Sequence, residues 1–280
     1  MKEERREVEI VVISDVHLGT FGCHAKELVA YLKSIKPEIL VLNGDIIDVW
    51  QFKKSYWPKS HMKVIKHIIN LAAKGTLVYY ITGNHDETFR RFSGAKIGNI
   101  SILNQLELNI GDEKAWFFHG DVFDVVIQNS KWLAVLGSVS YDLLIRINHL
   151  VNKISLFLGK GKVSLSKKIK DNVKSAVTYI NNFETTAARV AQQKGFKYIV
   201  CGHIHHSEIR KIELGNDKSI MYLNSGDWVE NLTALEYDND TWSIYKYSSE
   251  DESEAFEDTD VLTDLDNKEI FDLMLKDFKD

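Results

Sequence analysis

Two cysteines, Cys23 and Cys201, are all that the chain contains. Their separation fits neither a zinc-ligand pair nor a disulfide framework. No apolar stretch approaches the roughly 20 residues that a membrane-spanning helix needs. The opening residues, Met1-Lys2-Glu3-Glu4-Arg5-Arg6, are polar and lack the apolar core of a secretory signal. A cytoplasmic location is therefore expected. There is no internal repeat and no low-complexity tract. A continuous basic stripe with interleaved aromatics, as a nucleic-acid track requires, is also missing, so no nucleic-acid partner is expected.

What is present is ordinary globular material: 280 residues, 44% hydrophobic and 27% charged, enough for one or two domains. The net charge of -5 hides an asymmetry. Residues 122–194 carry eleven Lys/Arg against four Asp/Glu, whereas residues 250–280 carry three Lys against thirteen acids. A basic middle inside an acidic chain suggests a local anionic partner. The acidic end reads as a solvated tail with a final amphipathic turn or two, and it would repel a polyanion.

Five apolar, β-branched runs (Glu9 to Ile13, Ile39 to Leu42, Thr76 to Ile81, Ala115 to Phe118, Tyr198 to Cys201) read as buried strands. Helical spacing marks Lys26 to Ser34, with Pro37 as its stop, and His61 to Lys74, closed by Gly75. Short strands are expected at Ile100 to Leu103, Leu106 to Ile110, Lys114 to Phe118, Glu208 to Leu214, Ser219 to Leu223, Thr233 to Tyr237 and Trp242 to Tyr247. The pattern predicts an α/β fold of two packed mixed β-sheets flanked by helices, with a helical insertion. Its parts would be a core of residues 1–122 and 195–248, a helical lid at 123–194, and an acidic tail at 249–280. Within the lid, apolar residues from Trp132 to Ile154 recur at helical spacing, and a second helical run covers about Ser166 to Gln193.

Each of the five strand runs ends in polar residues that bind metals. In order they read Asp15-Val16-His17, Gly44-Asp45-Ile46-Ile47-Asp48, Gly83-Asn84-His85-Asp86, His119-Gly120-Asp121 and Gly202-His203-Ile204-His205. Carboxyl ends of strands in open α/β sheets are where such folds gather their sites. Mixed carboxylate, imidazole and amide ligands suit borderline divalent metals. Two ions about 3.5–4 Å apart clamp a phosphoryl group, and a carboxylate placed like Asp45 bridges them. Singly, each residue has an ordinary explanation, such as a helix cap for Asp15 or a left-handed turn for Asn84. Five motifs in series do not.

The ordered motifs resemble the calcineurin-like metallophosphoesterase superfamily. The resemblance assigns Asp15, His17 and His205 to one metal and Asn84, His119 and His203 to a second, with Asp45 between them. It implies two divalent ions, Mn²⁺ by family habit, although the ligands accept iron, zinc or cobalt equally. His85 resembles the family's catalytic histidine, beside the metals, and Asp48 the carboxylate that orients it. The basic amphipathic insertion and the short His119-Gly120-Asp121 motif are similar to the UDP-2,3-diacylglucosamine hydrolase branch. That likeness implies a lipid-linked sugar nucleotide as substrate, the cytoplasmic face of the inner membrane as a surface partner, and Asn84, Lys167, Asn172, Lys174 and His203 as substrate contacts. Where that branch carries arginine after the motif asparagine, this chain has His85. Two alternatives stay open: a phosphodiesterase or phosphatase acting on soluble nucleotides or phosphoproteins, and a metal scaffold that binds partners through the insertion. The sequence does not decide the oligomeric state.

Overall fold

Alternation along the first strand sets the layers of the molecule. In β1 (Arg6–Ile13), Val11 and Ile13 join one apolar cluster while Ile10 and Val12 join another. A strand apolar on both faces must be covered on both. The computed structural model describes residues 5–50, 56–123, 183–215 and 217–248, and all its elements lie in the compact unit Met1–Tyr247.

After β1 come α1 (Ala25–Ser34), β2 (Ile35–Asn43), α2 (Lys59–Ala73), β3 (Leu77–Ile81), a 3₁₀ turn at Glu87–Phe92, β4 (Lys96–Ile97), β5 (Ile100–Leu103), β6 (Leu106–Ile110) and β7 (Glu113–Phe117). A helix at 183–193, here α3, leads to β8 (Tyr198–Cys201), β9 (Glu208–Gly215), β10 (Lys218–Asn224), β11 (Thr233–Asp238) and β12 (Thr241–Lys246). One sheet has the order β12-β11-β1-β2-β3-β5-β4 and the other β6-β7-β8-β10-β9. Both are mixed. β1, β2, β3 and β5 run parallel, as do β7, β8 and β10, while β11 and β9 pair antiparallel with their neighbours. The fold is thus an α/β sandwich.

Three apolar clusters follow. Ile10, Val12, Val41, Ile81, Phe117, Val200 and Leu235 meet between the sheets. Replacing the fully buried Phe117 with alanine would cost about 3–5 kcal/mol. Leu28 and Leu32 of α1 pack with Val64, Ile68 and Leu71 of α2 over the other face of the first sheet. On the second sheet, α3 buries Phe183, Ala187, Ala188 and Ala191 against Trp116, Phe118 and Tyr222. Three alanines on one face let the helix backbone approach the sheet closely.

The expected strands are all present within a few residues of their expected limits. The first helix ends at Ser34 as expected, three residues before Pro37, which itself lies inside β2 in register with Val8. The helix ends at Ser34 because Ile35 is already extended (φ -119°, ψ 161°), and alternate burial begins there. Proline is tolerated so near a strand's start because few ladder bonds precede it. The hairpin strand β4 and the first residues of β1 were not expected, being polar and short. Most of the lid, including Lys167, Asn172 and Lys174, and the tail at 249–280 lie outside the described residues.

Candidate metal centre

The motif residues leave the strands just past their carboxyl ends: Asp15 and His17 after β1, Asp45 and Asp48 after β2, Asn84 and His85 after β3, His119 after β7, and His203 and His205 after β8. The loops are laced to one another through the backbone. Asp15 N donates to Gly44 O (3.1 Å), and Val16 N and His17 N both donate to Asp45 O (3.0 Å each). Gly202 N donates to His119 O at 2.9 Å, which ties the two loops of the second sheet. His203 N donates to Asp15 Oδ2 at 2.9 Å, and this joins one sheet's loop to the other's.

Five of the nine residues are held with positive φ: Asp15 (51°), His17 (53°), Asp45 (54°), His203 (67°) and His205 (56°). For residues with a Cβ this left-handed region costs about 1 kcal/mol or more each. The surrounding backbone bonds make that strain sustainable, and its concentration at one spot marks a site built for a purpose other than stability. Two glycines show how tight the packing is. A Cβ on Gly44 would stand 2.3 Å from His119 Nδ1, and one on Gly83 would stand 2.2 Å from Asp45 Oδ1. Neither position accepts a side chain.

Among the described residues three His/Asp groups converge: Asp15, His17 and His205; Asp45, His119 and His203; and His17, Asp48 and His85. One ligand atom from each of Asp15, His17 and His205 lies within 4.8 Å of the others, and likewise for Asp45, His119 and His203. Asp15 Oδ1 stands 3.2 Å from His205 Nε2, and Asp45 Oδ2 3.2 Å from His119 Nε2. Yet Asp15 Oδ1, His17 Nε2, Asn84 Oδ1 and His119 Nε2 are buried and make no hydrogen bond among the described residues. Buried polar atoms ordinarily have partners. Such orphaned atoms on residues of the converging groups, and on Asn84 in the loop after β3, fit divalent cations, and the carboxylate, imidazole and amide set suits manganese, iron, zinc or cobalt.

The second nitrogens of the rings are anchored. His119 Nδ1 donates to Asn43 O at 2.9 Å, and His17 Nδ1 lies 3.1 Å from Asp48 Oδ2. Both bonds put the ring proton on Nδ1 and leave Nε2 as a donor of electrons. Asp48 Oδ2 is also 2.9 Å from His85 Nδ1. Asp48 thus lies beside His85, whose Nδ1 makes no hydrogen bond among the described residues, and the same oxygen also faces a ring of the first metal group. His17 and His85 meet edge-on with centroids 4.6 Å apart, and the exposed Trp50 ring lies 4.8 Å from His85.

Electrostatics run the same way. Burial pushes the Asp15 carboxyl up, but His205, His119 and His17 together carry it well below the usual carboxylate range. Burial lowers His119 and His205, while their acid neighbours, Asp45 and Asp15 foremost, raise them to about 10 and about 9. Carboxylates that hold imidazoles charged this strongly form a trap for positive charge, which a divalent cation fills with release of the ring protons.

Several supporting residues were given no role by the sequence, although Asp86 and Asp121 stand within its motifs. Asp86 is fully buried and accepts from Gly83 N (2.6 Å), Ile46 N (3.0 Å) and Tyr80 Oη (2.6 Å). It is the brace of the Asn84-His85 loop. Arg90 joins Asp121 and Gly83 O, linking loops of the two sheets. His206, beside the second histidine of the last motif, is exposed.

Fold and ligand arrangement define a metal-dependent phosphoesterase. The calcineurin-like phosphoesterase profile matches residues 8–207, and the chain belongs to that family. Among curated proteins, it is 24% identical over 242 residues to a UDP-2,3-diacylglucosamine hydrolase of Aliivibrio fischeri, covering 85% of this chain and 98% of the relative. To the enzyme of the same name from Pseudomonas savastanoi it is 22% identical over 255 residues, 88% of this chain and 98% of that one. It also aligns with a solved archaeal phosphodiesterase at 12% identity and a TM-score of 0.42, over 85% of this chain and 98% of that chain.

Proposed function

We propose that the protein is a dinuclear-metal pyrophosphate hydrolase that splits UDP-2,3-diacylglucosamine into UMP and 2,3-diacylglucosamine 1-phosphate, a step in lipid A synthesis. The observation that carries the substrate is the match to enzymes of that name over 98% of their length. For the chemistry, support comes from the converging buried atoms of the two ligand groups.

In this reading Asp15, His17 and His205 would hold one ion and Asn84, His119 and His203 the other, with Asp45 shared between them. Such ions would polarise the phosphoryl oxygens and lower the pKa of water enough to supply hydroxide at neutral pH. Water oxygen joins one phosphorus as the bridging P–O bond breaks. His85, its ring set by Asp48, gives its proton to the departing sugar-phosphate oxygen. Asn84 and His203 also face the phosphate, while Lys167, Asn172 and Lys174 of the lid meet its charge. The lid's apolar residues, among them Trp132 and Leu136, receive acyl chains, and Lys153, Lys160 and Lys162 bring the enzyme to anionic lipid at the inner membrane's cytoplasmic face.

The test is hydrolysis of UDP-2,3-diacylglucosamine by Mn²⁺-loaded protein, with products identified by mass spectrometry. UMP and the diacylated sugar 1-phosphate are expected. Cleavage of a simple bis-aryl phosphate without that reaction would favour a phosphodiesterase of soluble substrates. Equal sedimentation with anionic and neutral vesicles at low salt would remove the membrane part.

A further inference from the structure

Asp227 is a fully buried carboxylate that neither the motif order nor the ligand assignment uses. It stands in the loop Asn224-Ser225-Gly226-Asp227-Trp228, immediately after β10. One of its oxygens has an ordinary structural task. Oδ1 accepts the backbone N–H groups of Val229 (2.8 Å), Glu230 (2.5 Å) and Asn231 (3.2 Å), closing the turn that follows.

The other oxygen looks toward the metal centre. Oδ2 accepts from Asn231 Nδ2 at 2.5 Å and stands 3.9 Å from His205 Nδ1. The same Asn231 Nδ2 also donates to the backbone carbonyl of His205 at 2.8 Å. One amide thus ties the carboxylate to a residue whose backbone is held left-handed at φ 56°. The loop reaches a second ligand as well, since Trp228 N donates to Asp15 O at 3.1 Å. Turn closure alone needs one accepting oxygen, which an uncharged Asn or Ser supplies. Burying a full charge costs several kcal/mol, so its second oxygen calls for a cation or polarised ring nearby. His205 is the ring on that side.

We infer that Asp227 is a positioning residue for His205: through Asn231 it fixes the backbone of this ligand, and through Oδ2 it orients the ring so that Nε2 faces Asp15 Oδ1. The inference rests on the two-metal reading above. It predicts unequal behaviour of the two positions. His119 is backed by a neutral carbonyl, Asn43 O, and owes nothing to this loop, whereas the Asp15, His17 and His205 group depends on it.

The experiment is manganese binding to the full chain, by calorimetry and by metal analysis after dialysis, for wild type, Asp227→Asn, Asn231→Ala, His205→Ala and Asp227→Asn/His205→Ala. Outer partners of metal-bound histidines typically contribute about 10- to 100-fold in affinity. One of the two binding steps should weaken by about that factor in Asp227→Asn, with the other unmoved. In the His205→Ala background the Asp227→Asn change should have no further effect. Asn231→Ala, which leaves the turn-closing oxygen its backbone partners, should weaken the same step and carries the test if Asp227→Asn does not fold. Unchanged binding in these variants, or an equal loss with and without His205, would overturn the inference and leave Asp227 a turn residue. A wild type that takes up no metal would instead remove the two-metal reading itself.

Discussion

Among the described residues, two charged clusters that reach into the core are built on opposite principles. At the first, Arg6 donates both terminal nitrogens to the two oxygens of Glu236 at 2.9 Å each, and the buried Tyr31 hydroxyl donates to Glu236 Oε1 at 2.9 Å. Each charged atom there has a partner, as a structural cluster requires. At the second, the metal centre, carboxylates and imidazoles crowd together, yet four buried atoms make no hydrogen bond among the described residues. Five backbone positions also stay left-handed. The difference separates charge that stabilises from charge that is kept ready for a ligand. Satisfied charge belongs to the fold, and unsatisfied convergent charge belongs to the reaction.

The comparison breaks most sharply at Asp45. Its Oδ1 accepts His85 N at 2.8 Å and its Oδ2 faces His119 Nε2, so it serves both the catalytic loop and the ligand set. Asp45→Ala should lose metal and activity together, seen as sub-stoichiometric manganese after dialysis and turnover at background. Full metal content with activity gone would mean that Asp45 acts on substrate and not as a ligand.

His85 should behave differently, since its ring nitrogen lies beside Asp48 and stands outside both ligand groups of the proposed assignment. His85→Ala should leave metal content unchanged and lower turnover by roughly 10²- to 10⁴-fold if the ring is a general acid. Substrates with a better leaving group should recover much of that loss, because they need less protonation. Turnover equal to wild type on the natural substrate would remove the role.

On the structural side of the comparison, Glu236→Ala strips Tyr31 of its acceptor deep in the core. Arg6 is half exposed and rehydrates, so most of the cost comes from the stranded hydroxyl, about 1–3 kcal/mol. Urea denaturation should show the midpoint shift, while activity per folded molecule stays constant. A drop in activity without a change in midpoint would put this cluster in communication with the site.

How much of this was legible in the sequence follows from the same division. Asp15, His17, Asp45, Asn84, His119, His203 and His205 announce themselves because each follows an apolar run, and five such motifs stand in series along the chain. The sheets were legible from the alternation of residues such as Ile10, Val11, Val12 and Ile13. The roles of Asp86 and of the carbonyl of Asn43 were not, since they depend on neighbours 40 or more positions away brought near by the fold, such as Ile46 for Asp86 and His119 for Asn43. The place of Pro37 within β2 was not legible either, because proline punctuates both helix ends and strand starts, and only pairing with Val8 distinguishes them.

Histidine itself allows the finest form of the comparison. His119 and His205 are raised to about 10 and about 9 because carboxylates surround them. His67, on α2, is lowered to about 4: burial is the main cause, and Arg5, Lys33 and Lys74 add to it. Its Nε2 lies 3.0 Å from Leu32 O, so the neutral ring is satisfied as a donor. An unfolded histidine binds its proton near pH 6.5. Between that value and about 4 the unfolded chain therefore holds a proton at position 67 that the folded chain refuses. The stability is fully present above pH 6.5 and is lost as pH falls toward 4. The raised pair gains stability as pH falls through 6.5, but it does so in wild type and variant alike, so the difference between the two proteins reports position 67. His67→Gln keeps a donor for Leu32 O and removes the titration. Between pH 7 and pH 5, chelator-treated wild type should lose about 1–2 kcal/mol more than the variant in urea denaturation. Parallel losses in the two proteins would show that the ring stays hydrated, and that burial on this helix does not oppose charge as the absence of an acidic partner implies.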